Sequence, residues 1–135
     1  MADSHLIPAP HGIGIDLVRI DRITEHLEDE RFLNRLFTPG ELKDAGTGPQ
    51  RAARLAVRWA AKEALAKALG CGFGDVLTWN DVEVVRRENG APSLHLSERA
   101  MLRHGNPATL VSLSHDGEYA IAMVWISSPS KDSST

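Results

Sequence analysis

The chain has 135 residues, 42% of them hydrophobic and 24% charged, which is enough for one compact domain around one core and too little for a second. Against 18 Asp and Glu stand 15 Lys and Arg, a net charge of -3 that argues against general nucleic-acid binding and leaves any anionic partner to a local basic patch. The single cysteine, Cys71, excludes an internal disulfide; no apolar run approaches the ~20 residues of a membrane span, and MADSHLIPAP lacks the charged and apolar regions of a signal peptide, so a cytoplasmic location is expected.

Residues 1–10 and 127–135 are polar or proline-containing without sustained periodicity, and read as a flexible N-terminal extension and a flexible C-terminal tail around a folded body at 11–126. GIGIDLV (Gly12 to Val18) alternates as a strand, with Ile13, Ile15 and Leu17 on one face and Gly14, Asp16 and Val18 on the other. Asp21 is placed to cap a short helix, continued or followed by another through Arg31 to Phe37. Thr38-Pro39-Gly40-Glu41 has the form of a capping box with proline at the first helical position, and Gly46 to Pro49 ends the helix it opens. The longest helix runs from about Arg51 to Leu69, with Gly70 as its C-terminal stop. Beyond it the period changes to two. DVEVVRR, the turn ENG and PSLHLS form one hairpin; SERAMLRHG is a short helix capped by Ser97; TLVSLSH, the turn Asp116-Gly117 and EYAIAMVWI form a second hairpin. Helices and strands do not alternate regularly, so the fold class is α+β: a single domain with an antiparallel sheet, one long helix and several short ones.

Three places could hold chemistry. Asp16 lies opposite the large aliphatics of its strand and beside Gly14, which leaves room for something to approach; a structural aspartate satisfied by nearby backbone fits the same segment. Glu63, at 100° per residue, falls among Ala52, Ala56, Trp59 and Ala66, on a side otherwise made for burial. It is either half of an i,i+4 pair with Lys67 or a buried carboxylate that needs a metal ion or another cation beside it. Arg54, Arg58 and Lys62 form a basic stripe on another side of the same helix, suited to solvent or to phosphates, and the run GCGFG that follows lets backbone come close to a ligand. The third place is VSLSHDG: His115 ends a strand with Ser112 and Ser114 on the opposite face, as a surface residue or as a group that binds phosphate or takes a proton. Neither a nucleophilic triad nor a zinc spacing is present.

Together these segments resemble a family. GIGIDLVRIDRI, FTPGEL (Phe37 to Leu42), RWAAKEALAKALG, the N-G-x-P pair of Asn89 to Pro92 and VSLSHDGEYAIAMV look like the holo-[acyl-carrier-protein] synthases, the short type of 4′-phosphopantetheinyl transferase, over about residues 12–126. The resemblance implies transfer of the phosphopantetheine arm of coenzyme A to a serine of apo-acyl carrier protein, with release of adenosine 3′,5′-bisphosphate, in support of fatty acid biosynthesis. It implies Asp16 and Glu63 as ligands of Mg²⁺, and Lys62, Lys67 and His115 as contacts to the phosphates of coenzyme A. Arg58, Ser114 and the segment Gly70 to Gly72 would surround the nucleotide. It further implies carrier docking at Arg22, Arg31 and Phe32, and a homotrimer with active sites where subunits meet. Asp16, Glu63, His115 and a metal-associated water each remain open as the general base. A noncatalytic coenzyme A or nucleotide-binding module, a purely structural interaction domain, and a transferase serving a polyketide-type carrier stand as alternatives. The broad-specificity transferases resemble two fused copies of this module, and the chain has length for one.

Overall fold

Residues 10–127 are described by the computed structural model. The expected extension and tail therefore lie outside the described residues, apart from Pro10 and Ser127, which face each other in register at the joined ends of two strands. The elements run β1 (Pro10–Arg19), α1 (Asp21–Thr24), α2 (Glu30–Leu36), α3 (Pro39–Ala45), α4 (Arg51–Leu69), a 3₁₀ turn (Trp79–Asp81), β2 (Val82–Arg86), β3 (Pro92–Leu96), α5 (Glu98–His104), β4 (Ala108–Asp116) and β5 (Tyr119–Ser127). The strands make two antiparallel sheets: three strands in the order β1-β5-β4, and the separate hairpin β2-β3. Both hairpins and the α+β class agree with the sequence pattern; the division into two sheets was not visible in it.

Helix α4 lies on the three-stranded sheet, and the sequence of β1 shows why it can come so close. A β-carbon at Gly14 would stand 1.8 Å from the carbonyl oxygen of Ala64, and one at Gly12 would stand 2.1 Å from that of Ala68. Only glycine fits at these two positions. The facing residues of β5 are small or β-branched, with Ala120, Ala122 and Val124 buried, and α4 answers with Ala56, Ala60, Ala61 and Ala64, all fully buried. Larger residues of α4, Leu55, Trp59 and Leu65, complete the core on its other sides. Gly70 ends the helix in the left-handed conformation, φ +76°.

The room left beside Gly14 is thus taken by the helix, and the large aliphatics of β1 face outward. Ile13, Ile15 and Leu17 are exposed, as are Leu110 of β4 and Met123 and Trp125 of β5, so the outer face of the sheet is broadly apolar.

Local caps follow the sequence closely. Thr38 and Glu41 form the reciprocal capping box, Asp29 caps α2 by accepting from the Phe32 N–H, and Ser97 caps α5. Asp21 does not cap α1: Ile20 occupies the cap without a side-chain bond, and Asp21, the first helical residue, is held by Arg19 at 3.4 Å. Asp81 ties the start of β2 to α5, accepting from Thr78, Ser97 and Arg99. Burial alone would raise its proton affinity, but these donors override it and hold the carboxyl well below the usual carboxylate range.

Candidate active site

Asp16 and Glu63 come together. Asp16 projects from β1 toward α4, where the Lys67 ammonium donates to its Oδ1 and to the carbonyl of Ile15, each at 3.0 Å. Glu63 stands one turn before Lys67 and is half-buried. Burial first, and then the negative charge of Asp16, push its carboxyl above the ordinary value, against the opposing charges of Lys67 and Arg22. Asp16 on β1 and Glu63 on α4 are therefore close enough to repel each other electrostatically, and the Lys67 ammonium bonds to Asp16 and acts on Glu63 by its charge. The i,i+4 relation of Glu63 and Lys67 is real, yet Lys67 bonds to the neighbouring strand. Just beyond the helix, Gly70 and Gly72 have nothing within 4 Å of where a β-carbon would stand, so backbone is open to a ligand on this side.

His115 and Ser114 are elsewhere in the same chain. Both lie on β4, across from Ala120 and Ile121 of β5, which in turn pair with Val18 and Leu17. Two interstrand spacings, about 10 Å, separate the strand of Asp16 from the strand of His115. β1 and β4 are the two opposite edges of the sheet. Along the β4 edge a cleft of about 340 Å³ is lined by Arg54, Arg58 and Arg86 together with Ser112, Ser114 and His115. Arg58 is buried in its wall, with Asp44 and the carbonyl of Arg54 as partners, while its Nε has none. Arg86 also approaches Asp44, at 3.6 Å. One chain thus presents the two halves of the expected site at opposite edges: carboxylates, Lys67 and glycines at β1, and arginines, Ser114 and His115 at β4.

Lys62 belongs to neither half, which corrects the phosphate contact expected of it. It is fully buried, its ammonium 2.7 Å from Glu41 Oε1 and donating to the carbonyls of Leu36 at 2.8 Å and Trp79 at 3.0 Å. Glu41 is equally buried and also accepts from the N–H groups of Thr38 and Val84. With all of its donors satisfied inside the protein, Lys62 is out of reach of any phosphate. The basic stripe read along α4 is therefore two arginines at the β4 cleft and one buried lysine.

The third cluster surrounds Trp59. The Arg22 guanidinium sits 4.7 Å from the centroid of its ring, Phe32 meets it edge to face at 6.3 Å, and His26 stacks on Phe32 at 4.1 Å. Arg31 is exposed nearby on α2. Trp59 is a core residue by its periodicity, and only the structure reveals that Arg22 and Phe32 converge on it. Likewise nothing in the sequence marks Asp44 as the partner of Arg58, because a residue on α3 and one on α4 meet only through tertiary packing.

A model of the 4′-phosphopantetheinyl transferase superfamily matches residues 12–124, the whole of this arrangement. The chain belongs to the 4′-phosphopantetheinyl transferase superfamily. Among its relatives in this superfamily, the holo-[acyl-carrier-protein] synthase of Gloeobacter violaceus is 50% identical over 120 residues, which are 84% of this chain and 90% of that one. The crystal structure of the Helicobacter pylori holo-[acyl-carrier-protein] synthase in complex with coenzyme A is 34% identical, with a TM-score of 0.78 over 85% of this chain and 99% of that one. That of Bacillus anthracis, in complex with coenzyme A (3′,5′-ADP), is also 34% identical, with a TM-score of 0.77 over 89% of this chain and 98% of the other. Superfamily membership thus accounts for the chain from β1 to near the end of β5.

Proposed function

We propose that the chain is a transferase that moves the 4′-phosphopantetheine group of coenzyme A onto a serine of an apo-acyl carrier protein of the fatty acid type, releasing adenosine 3′,5′-bisphosphate. The serine oxygen bonds to the phosphorus that bears pantetheine, the bond from that phosphorus to the bridging oxygen breaks, and the serine proton leaves to a base. The observation that carries the reading is the Asp16–Glu63 pair, two mutually repelling carboxylates on β1 and α4, whereas each buried charge among the described residues has a partner of its own.

The pair fits Mg²⁺. Two carboxylates supply hard oxygen donors, and among the described residues no third His, Cys, Asp or Glu joins them, leaving positions for water and phosphate oxygens as this ion prefers. When bound there, the ion would polarise the diphosphate and offset charge on the leaving group. Lys67 faces the same phosphates, and Gly70 and Gly72 admit the nucleotide to the backbone. Asp16, Glu63, His115 and a water held at the metal are the candidates for the group that accepts the serine proton. His115 lies at the other edge of the sheet.

That separation supports a site shared between copies. Joining the β1 edge of one subunit to the β4 edge of the next would bring Asp16, Glu63 and Lys67 to Arg58, Ser114 and His115. The outer face, with Leu110 68% exposed and Leu17 60% exposed, supplies apolar surface for such an assembly. A cyclic homotrimer is the assembly proposed, in the cytoplasm, where Ile121, Met123 and Trp125 contribute to the contact. The carrier docking surface proposed is Arg22, Arg31 and Phe32; support comes from Arg22 and Phe32 meeting at Trp59 and from the charge of Arg22 acting on Glu63.

The test is the mass of an apo-carrier after incubation with the purified protein, coenzyme A and Mg²⁺. Gain of one phosphopantetheinyl group, lost on chelation of the metal, is the expected result. Coenzyme A binding with no change in carrier mass, across fatty-acid and polyketide carriers, would replace the enzyme with a noncatalytic binding module.

A further inference from the structure

The cation at the two-carboxylate site belongs to the chain itself. Lys67 donates to Asp16 Oδ1 and to the Ile15 carbonyl, both at 3.0 Å. Asp16 is largely covered, its side chain only 16% exposed, so the oxygen that Lys67 engages has few other partners; the Lys67 side chain is 56% exposed and free to swing away. Lysine suits such a double life because its ammonium is a point charge on a flexible four-carbon stem, able to exchange one anion for another at little strain. The other lysine–carboxylate pair of the same helix, Lys62–Glu41, is fully buried and has no such exit.

We propose that Lys67 is a built-in competitor for the metal site, holding Asp16 until a diphosphate draws the ammonium off, so that divalent metal and diphosphate enter together and the free protein binds metal poorly. The proposal rests on the metal reading of Asp16 and Glu63. The coupling is physical: one oxygen of Asp16 serves either the ammonium or the cation, and a phosphate that binds the ammonium releases the oxygen. By linkage the metal must then tighten diphosphate binding by the same factor. A site that is free in only a tenth of the molecules loses about 10-fold in apparent affinity, which sets the size of the effect to look for.

The experiment is calorimetric titration of Mg²⁺ into the purified full chain without coenzyme A, and again with coenzyme A saturating, for wild type, Lys67→Met, Lys67→Gln, Lys67→Arg, Arg22→Met and Lys67→Met with Asp16→Asn. Lys67→Met and Lys67→Gln are expected to bind Mg²⁺ about 10-fold or more tightly than wild type in the absence of coenzyme, on the population argument above. Lys67→Arg keeps the weak binding, and Asp16→Asn erases the gain. Arg22→Met, which removes a nearby charge that does not bond Asp16, gives a smaller gain. Equal gains at positions 22 and 67 would reduce the effect to general electrostatics and overturn the proposal. So would unchanged affinity in Lys67→Met and Lys67→Gln when the wild type, saturated with coenzyme A, binds Mg²⁺ through Asp16. A wild type that takes no Mg²⁺ even with coenzyme A would instead overturn the metal reading, and this inference with it.

Discussion

Helix α4 carries two lysine–carboxylate pairs with opposite designs. Lys62 and Glu41 are both 0% exposed, 2.7 Å apart, and every remaining donor and acceptor is used by backbone: Leu36, Trp79, Thr38 and Val84. Lys67 and Asp16 are 3.0 Å apart at the surface, and the carboxylate beside them, Glu63, has raised proton affinity and no hydrogen-bond partner of its own in the described network. Charge that is fully satisfied joins elements together: Lys62 and Glu41 bind the end of α2, the start of α3, the 3₁₀ turn, β2 and α4 at one point. Charge left incompletely satisfied is what a ligand can complete. Neighbouring residues of one helix, Lys62 and Glu63, fall on the two sides of that line.

The comparison breaks first at Lys62. Lys62→Ala leaves Glu41 buried without its cation, and removal of one partner of a buried pair costs about 3–5 kcal/mol. Chemical denaturation should show a loss of that size, and the double variant Lys62→Met with Glu41→Gln should recover part of it, since no buried charge then remains. If Lys62 instead met phosphate, the single variant would keep its stability and lose coenzyme affinity. Asp16→Ala is the counterpart at the open pair. It should leave the melting temperature within a few degrees of wild type and reduce carrier modification by about 10²–10³-fold, the equivalent of the several kcal/mol that a metal ligand supplies. An Asp16→Ala protein that modifies the carrier at the wild-type rate would remove the metal from this site.

Much of this contrast could be read without a structure, and the part that could not has a definite cause. The Thr38–Glu41 box, the Ser97 cap, the Gly70 stop and both hairpins are local, so short-range chemistry declares them. Asp16 and Glu63 stand out because each breaks the apolar pattern of its own element. Lys62 could not be separated from Arg54 and Arg58 by spacing alone, since what distinguishes it is Glu41, which the sequence presents only as a helix cap. β1 is the other instructive strand: its alternation is plain, but which face is the core depends on how near α4 comes, and Gly12 and Gly14 decide that through tertiary contact. The placement of the expected site at two edges of one sheet is a property of strand order, which no local pattern encodes.

A smaller effect is expected at the proposed carrier face. The exposed Arg22 guanidinium lies over Trp59 and within electrostatic reach of Glu63, so reversing its charge changes encounter with an acidic partner more than it changes the fold. Arg22→Glu should raise the KM for carrier protein about 5- to 30-fold, with less change for coenzyme A, if one to two rim contacts of ~1 kcal/mol each are lost. Wild-type docking should weaken with salt, because the screening length is already about 8 Å at 0.15 M, and the variant should respond less. A carrier KM indifferent to both the substitution and salt would move docking away from α1 and α2.

The smallest effect sharpens the comparison most, because it separates satisfied from unsatisfied charge by its sign with pH. Glu63 has a folded-state pKa above its unfolded value, burial being the main cause. A carboxyl shifted in that direction is favoured protonated in the fold, so its ionisation costs stability: the penalty is absent below the unfolded value near 4.5, grows as pH rises through that value, and is complete above the folded pKa. Asp81, held down by Arg99, Ser97 and Thr78, behaves oppositely, and its contribution is present above the unfolded value of 3.8 and lost as pH falls below it. In metal-free buffer at pH 7, Glu63→Gln should therefore melt above wild type, by less than about 3 °C because the half-exposed group is screened by solvent. The difference should shrink toward zero near pH 4. Asp81→Asn should melt below wild type at pH 7, with its deficit narrowing only in more acidic buffer. Thermal melts of the three proteins from pH 3.5 to 8 decide the matter, and a Glu63→Gln variant less stable than wild type at neutral pH would mean that Glu63 is a structural partner after all, as fully satisfied as Glu41.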